Sequence, residues 1–350
     1  MVKYLIYLLV LLFSLASCEK IYTPKIDIVQ GQLVVEALIT NDPTQNFVHL
    51  TQTTSFYDQN PAPDVSGASV SLIEINGSTF KGTESSTGLF SFNVIPVTGQ
   101  NYKLQIILNN NTYESEIVKM PPLPAISRFY TGYVDNKVYT TDGYGVPVAT
   151  DQIGSELYID ASVREDLSCY RFNSRAALEW IYSPPAMGPP PPPVYGWQSV
   201  YATGDFNIAG PKQFTQSGEI VKQPLMLLPF YSDTQALLKP DSIPNGWIFI
   251  LDQYGTTQGS YNFHAQLNSQ FNATGSLFDP IETQVYGNMT CKTDSSKIVY
   301  GYFDLNSYKQ SRYYLMLFNP KDSVYQRQLF TYPDIPNNGQ KVGIPPDWWQ

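Results

Sequence analysis

The stretch "YKLQIILNNNTYESEIVKM", residues 102–120, decides the fold class. Tyr102, Leu104, Ile106 and Leu108 alternate with Lys103, Gln105 and Ile107, the period of a strand with one buried face. Three asparagines, Asn109 to Asn111, follow. Asparagine tolerates the left-handed backbone that a tight hairpin turn requires. A second strand-like run, residues 112–120, comes straight after.

Working outward, the same grammar repeats upstream in the runs 32–40, 47–53, 68–75, 78–82 and 89–95, with Asn76-Gly77 and Gly99-Gln100 as turns. Seven short runs in about a hundred residues predict a small β-sandwich over residues 31–122. "MPPLP", residues 120–124, ends the ladder, because proline has no N–H to donate to it. Residues 123–330 then predict a second β-rich domain, with strand-like runs at 154–163, 169–182, 246–254, 297–305 and 311–318. It is interrupted by a proline-rich insertion at 183–197, which carries five consecutive prolines from Pro189 and is expected to be extended and stiff. One helix is expected near 258–272, capped by Thr257 or Ser260, with Phe263, Leu267 and Phe271, or Tyr261 and Leu267, recurring at helical spacing. Residues 331–350 form a proline-rich, aromatic tail expected to pack along the surface. The predicted fold class is therefore mainly β.

The N-terminus sets the compartment. Residues 1–17 carry Lys3, an apolar run from Tyr4 to Phe13 and small residues, which is the pattern of a secretory signal. Leu15-Ala16-Ser17-Cys18 looks like a bacterial lipobox. That resemblance implies that Cys18 becomes the lipidated N-terminus and that residues 18–30 tether the protein to a membrane it does not span. The net charge of −9 and the absence of a Lys/Arg cluster argue against nucleic-acid binding. Cys169 and Cys291 remain, and two thiols in an exported protein are most simply one disulfide, closing a long loop; two buried free thiols are the alternative.

Little in the sequence points to catalysis. The two histidines, His49 and His264, lack neighbours at zinc spacing, and no Gly-x-Ser-x-Gly elbow or phosphate loop is present. No metal, cofactor or catalytic residue is expected. Glu165 with Asp166, or Asp279 with Glu282, are the carboxylate pairs that a glycan-cleaving enzyme would recruit. Asp58, Asn60 and Asp64 fall in a loop conceivable for calcium, but their spacing is not that of an EF-hand. Among 26 Tyr and 5 Trp, the loop-like contexts of Trp197, Trp348 and Trp349 make them the candidate contact residues.

The order "GQLVVEALIT" (31–40), "PDVSGASVSLIE" (63–74), "TGLFSF" (87–92), "KMPPLPAI" (119–126), "IETQVYGNMTC" (281–291) and "KIVYGYFDL" (297–305) resembles a family of Bacteroidota outer-membrane lipoproteins, domain-of-unknown-function family 4249. The resemblance covers roughly residues 18–320 and departs from the family at the proline insertion. It implies an Ig-like or transthyretin-like N-terminal sandwich, a second β-domain and no catalytic motif to transfer. It also implies an accessory or binding role at the outer membrane beside a TonB-dependent, SusC-type barrel. A glycan hydrolase, or a structural subunit of an envelope assembly, is the competing expectation.

Overall fold

A computed structural model describes residues 31–55, 58, 60–123, 125–141, 146–162, 169–182, 187–190, 194–201, 206–211, 218–229, 243–271, 284–316, 325–329 and 341–342. The N-terminal runs become β1 (Leu33–Thr40), β2 (Phe47–Gln52), β3 (Ser69–Glu74), β4 (Thr79–Lys81), β5 (Thr83–Ser86) and β6 (Leu89–Ser91). β7 (Asn101–Leu108), β8 (Asn111–Ser115) and β9 (Val118–Lys119) follow. Further along lie β10 (Ile126–Thr141), β11 (Pro147–Ser162), β12 (Cys169–Tyr182) and β13 (Val194–Tyr201). β14 (Asn207–Ala209), β15 (Glu219–Pro229) and β16 (Ile243–Thr256) lead into α1 (Gln258–Phe271). The chain closes with β17 (Met289–Cys291), β18 (Val299–Met316), β19 (Tyr325–Leu329) and β20 (Lys341–Val342).

Alternation does what it predicts in the β7–β8 hairpin. Tyr102, Leu104, Ile106 and Leu108 are all buried, and Asn109 and Asn110 take φ of 50° and 63° in the turn. The all-polar, exposed β5 shows no such alternation.

The strands form three sheets. The largest runs β20-β13-β12-β16-β18-β1-β2-β6-β5, with β14 added to β12 and β19 to β18. The second is β17-β8-β7-β3-β4, with β9 beside β7, and the third is β10-β11-β15. β18 joins the two halves: residues 299–306 pair in parallel with β1, and residues 307–316 pair antiparallel with β16.

Both smaller sheets cover one face of the large one. Val299, Phe303 and Leu305 of β18 enter a core with Val35, Ile39, Leu72, Leu104 and Ile106. Tyr313 and Leu315, at the same parity further along β18, meet a second core with Leu157, Ile159, Trp247 and Phe249. A division at residue 122 therefore separates β17 and β18 from the sandwich core they complete, since Met289, Cys291 and Phe303 lie in it.

A short polypeptide junction secures this closure. A Cβ on Gly287 would overlap the carbonyl of Gly301, and one on Gly301 (φ +85°) would overlap the carbonyl of Val35. Only glycine permits such stacking of backbones.

Two expectations are corrected. The proline insertion ends earlier than residue 197, because Val194–Tyr201 is already the strand β13. The backbone there pairs with β12, so Trp197 is a strand residue opposite Glu179 and Lys341 and does not sit in a loop. Trp348 and Trp349 lie outside the described residues, although Lys341–Val342 of the tail adds to β13 as an edge strand. The helix has the expected span, and Thr257 caps it, its Oγ1 accepting from Ser260 N at 3.2 Å. Its buried face is Ser260, Tyr261 and His264, however, and Phe271 is 75% exposed. Tyr261 is on the inner side, Phe263 and Leu267 are half-buried against the cavity, and Phe271 alone of the expected apolar residues turns outward.

Candidate functional site

The face of the large sheet opposite the two cores is polar. Along β18 it carries Tyr302, Asp304, Tyr308, Gln310 and Arg312, alternating with the core residues. β12 and β16 add Arg171, Arg175, Asp252 and Tyr254, since Arg171 lies opposite Tyr254, which lies opposite Tyr308. Most of these groups are buried and therefore need partners.

Asp252 is the hub of one network. Its Oδ2 accepts from Arg175 Nη1 at 2.8 Å, and its Oδ1 accepts from the Tyr308 hydroxyl at 2.6 Å and from Gln310 Nε2 at 2.9 Å. Gln310 Oε1 in turn accepts from Arg312 Nε at 2.9 Å. Burial first, and then the Asp252 carboxylate, push the Tyr308 hydroxyl well above the ordinary tyrosine range.

A second cluster is assembled where α1 lies over the end of β12 and the middle of β18. His264 Nδ1 is 2.9 Å from the backbone carbonyl of Ser260. A carbonyl only accepts, so Nδ1 carries the proton and Nε2 is the lone-pair nitrogen. Arg171 Nη1 donates to Nε2 at 3.4 Å and lies 3.7 Å from Asp304 Oδ2, while Nε2 is 3.6 Å from that oxygen. Burial holds His264 below its ordinary value; Asp304 opposes that shift and Arg171 adds to it. The Arg171 guanidinium also stacks over the Tyr254 ring at 4.5 Å, and burial pushes the Tyr254 hydroxyl up to about 12.

Beside this cluster opens a cavity of about 670 Å³. Arg171, His264 and Asp304 line it, with aromatic rings from Phe47, Phe206, Tyr254, Phe263 and Tyr302. The Phe263 and Tyr302 rings stack with centroids 4.7 Å apart, and Phe206 meets His264 edge-on at 5.0 Å. Asn268 of α1 anchors the Phe206 backbone, accepting from its N–H at 2.9 Å and donating to its carbonyl at 3.1 Å. Glu36 stands on the exposed margin. A mostly aromatic lining with a few fixed polar groups at this volume is the usual constitution of a small-molecule site.

The structure places the sequence candidates as follows. His264, isolated in the sequence, lies in the cluster, although Arg171 is 93 positions away. His49 makes a surface pair with Asp64 Oδ1 at 2.8 Å, away from the cavity, and Asn60 Nδ2 donates to Asp58 Oδ1 at 2.8 Å. The expected Cys169–Cys291 bridge is not formed. Both are buried free thiols, one in β12 beside Gln258 and the other in the separate core with Tyr113. Cys18, Glu165, Asp166, Asp279 and Glu282 lie outside the described residues. Among the described residues no group of three His, Cys, Asp or Glu is placed to hold a metal, and no helix is long and apolar enough to cross a membrane.

Arg171 and Asp304 were missed by sequence reasoning. The available signal was a charged residue inside an otherwise apolar or aromatic strand, "CYRFNSR" and "GYFDL". Single interruptions of that kind are too common in β-proteins to select these two.

A family model described as a domain of unknown function, DUF4249, matches residues 19–312. The chain belongs to the DUF4249 family. No curated protein and no solved structure matches the chain. The DUF4249 match begins at the residue after Cys18 and ends at Arg312, so it spans Arg171, His264, Asp304 and the whole Asp252 network.

Proposed function

We propose that this DUF4249 chain is a lipid-anchored binding protein of the outer membrane, non-catalytic, serving uptake beside a TonB-dependent barrel of the SusC type. The cavity above Arg171, His264 and Asp304 carries the binding half of this reading. It combines concavity, aromatic walls and a small set of buried polar groups held in place by a sheet and a helix. His264 is arranged as a structural partner of Arg171, because its lone-pair nitrogen, Nε2, already accepts from the Arg171 guanidinium. The anchor rests on Leu15-Ala16-Ser17-Cys18, and the barrel on the family resemblance. In this scheme the N-terminal sandwich, of the Ig-like or transthyretin-like kind, is the module nearest the tether.

The test is a mild-detergent pull-down from native membranes with a C-terminally tagged chain and a Cys18→Ala control. A TonB-dependent barrel should come down with the wild type, which should also take up labelled fatty acid that the variant does not. Recovery of the chain alone, or labelling that survives Cys18→Ala, would overturn the membrane half.

One arrangement favours a second reading. Glu36 lies opposite Tyr302 and Leu38 opposite Asp304, so Glu36 and Asp304 are diagonal neighbours lining the same cavity from paired strands. Two carboxylates across a cleft are what a glycosidase uses, and the hydrolase reading would employ this pair in place of those expected from sequence. It requires release of reducing ends from a glycan, abolished in both Glu36→Gln and Asp304→Asn.

A further inference from the structure

The charges around the cavity narrow what fills it. Arg171 and Asp304 form a nearly buried opposite-charge pair whose nearest polar neighbour, His264, is uncharged near neutrality. An anionic ligand seated on Arg171 would face Asp304 and the marginal Glu36. A cationic ligand drawn to Asp304 would place a second positive charge beside Arg171. Either would leave one buried charge uncompensated, which is costly in a desolvated site. A neutral ligand leaves the pair intact.

The polar requirement is equally specific. Asp304 Oδ1 is buried and receives no hydrogen bond within the protein, while Oδ2 faces Arg171 and His264. An orphaned buried carboxylate oxygen beside a cavity calls for a donor from whatever occupies that cavity. Arg171, with several N–H groups on a planar fork, calls for an acceptor. A hydroxyl group is both. The rings of Phe47, Phe206 and Tyr302 present flat apolar surface to the rest of the ligand, so the ligand must carry apolar faces between its hydroxyls.

We propose that the cavity bounded by Arg171, Asp304 and Phe206 binds a neutral saccharide, its hydroxyls donating to Asp304 and accepting from Arg171 and its C–H faces lying on the aromatic rings. This rests on the binding reading above and assigns it a ligand class.

Saturation-transfer NMR on the full lipidated chain in mild detergent tests it, with maltotriose, xylotriose and chitotriose as neutral probes, citrate as the anion and spermidine as the cation. At least one neutral trisaccharide should receive saturation at its ring C–H protons at millimolar concentration, and citrate and spermidine should not. Asp304→Asn and Phe206→Ala should each weaken that saccharide about tenfold or more, whereas Lys81→Gln, exposed on β4 and outside the cavity lining, should leave its affinity within about twofold. Because the wild-type spectrum alone tests the ligand class, a variant that fails to fold does not rescue the proposal. Citrate or spermidine binding that depends on Arg171 would overturn the saccharide assignment and leave the binding reading standing. A saccharide whose binding ignores both variants sits elsewhere and overturns the site. No binding by any of the five probes would sink the saccharide proposal together with the cavity's role as a binding site, without touching the anchor.

Discussion

Asn288 hydrogen-bonds the backbone of Phe303 at two points. Its Oδ1 accepts from Phe303 N at 2.8 Å, and its Nδ2 donates to Phe303 O at 3.0 Å. The side-chain amide thus stands in for a neighbouring strand. Asn41 does the same for Tyr308, and Asn268 for Phe206. Asn41 and Asn288 hold β18 and Asn268 the Phe206 segment, so amides fix elements that border the cavity without a complete ladder.

Replacing Asn288 with Ala should remove two hydrogen bonds and leave a buried N–H and C=O unpaired. A loss of about 2–4 kcal/mol is expected. Asn288→Asp keeps the acceptor but turns a carboxylate oxygen toward the Phe303 carbonyl at a buried position, so it should lose at least as much. Midpoints of chemical denaturation measure both, and a smaller loss in Asn288→Asp would show that the amide donor contributes little.

Gly287→Ala and Gly301→Ala should be among the most damaging changes, each costing about 4 kcal/mol or more. In both the new Cβ meets main-chain oxygen, which cannot rotate away. Gly99→Ala is the comparison: its φ is also positive, at +88°, but nothing lies within 4 Å, so only the backbone penalty of about 1 kcal/mol should appear. Soluble yield and thermal midpoint separate the two classes.

Asp252→Ala should take the carboxylate from the half-buried Arg175 guanidinium and from the Tyr308 and Gln310 donors, and cost about 3–5 kcal/mol. Tyr308→Phe removes one neutral donor from the same carboxylate and should cost about 1–2 kcal/mol. The two sites share a contact, so the double variant should fall short of the sum by at least about 0.5 kcal/mol. Additive losses would mean that the 2.6 Å bond contributes nothing separately.

His264 predicts a pH dependence. Burial lowers its folded-state value below the ordinary 6.5, so the unfolded chain binds this proton more readily than the folded one. The stability it contributes is present above about pH 6.5 and is lost as pH falls from there through the lowered folded value. The wild type should therefore lose more stability between pH 7.5 and pH 5.5 than His264→Gln. Parallel curves for the two would remove His264 from the acid response.

Cys169 and Cys291 should behave as two thiols. In the Cys18→Ala chain, a thiol reagent should find both only after unfolding, and non-reducing electrophoresis should show no mobility shift on reduction. Burial pushes the Cys169 thiol up to about 11, which keeps the reactive thiolate scarce at neutral pH even when the reagent gains access.

The sequence by itself determined the class of fold and much of its local detail. Alternation in β7 identified the inward residues, Asn109-Asn110 marked a hairpin, and Thr257 marked the start of the helix, because each of these depends on neighbouring backbone dihedrals. Tertiary structure decided what those elements face. The sequence carried no sign that β18 would pair with β1, more than 250 positions earlier, or that the helix would bury Ser260 and His264 beside Tyr261 and leave Phe271 in solvent. A period of two tells which residues share a strand face; it does not tell whether another sheet or a cavity covers that face. Arg171, His264 and Asp304 became a cluster only when strand pairing and the seating of α1 brought them together, and the burial that makes their charges consequential is a property of the assembled sheet.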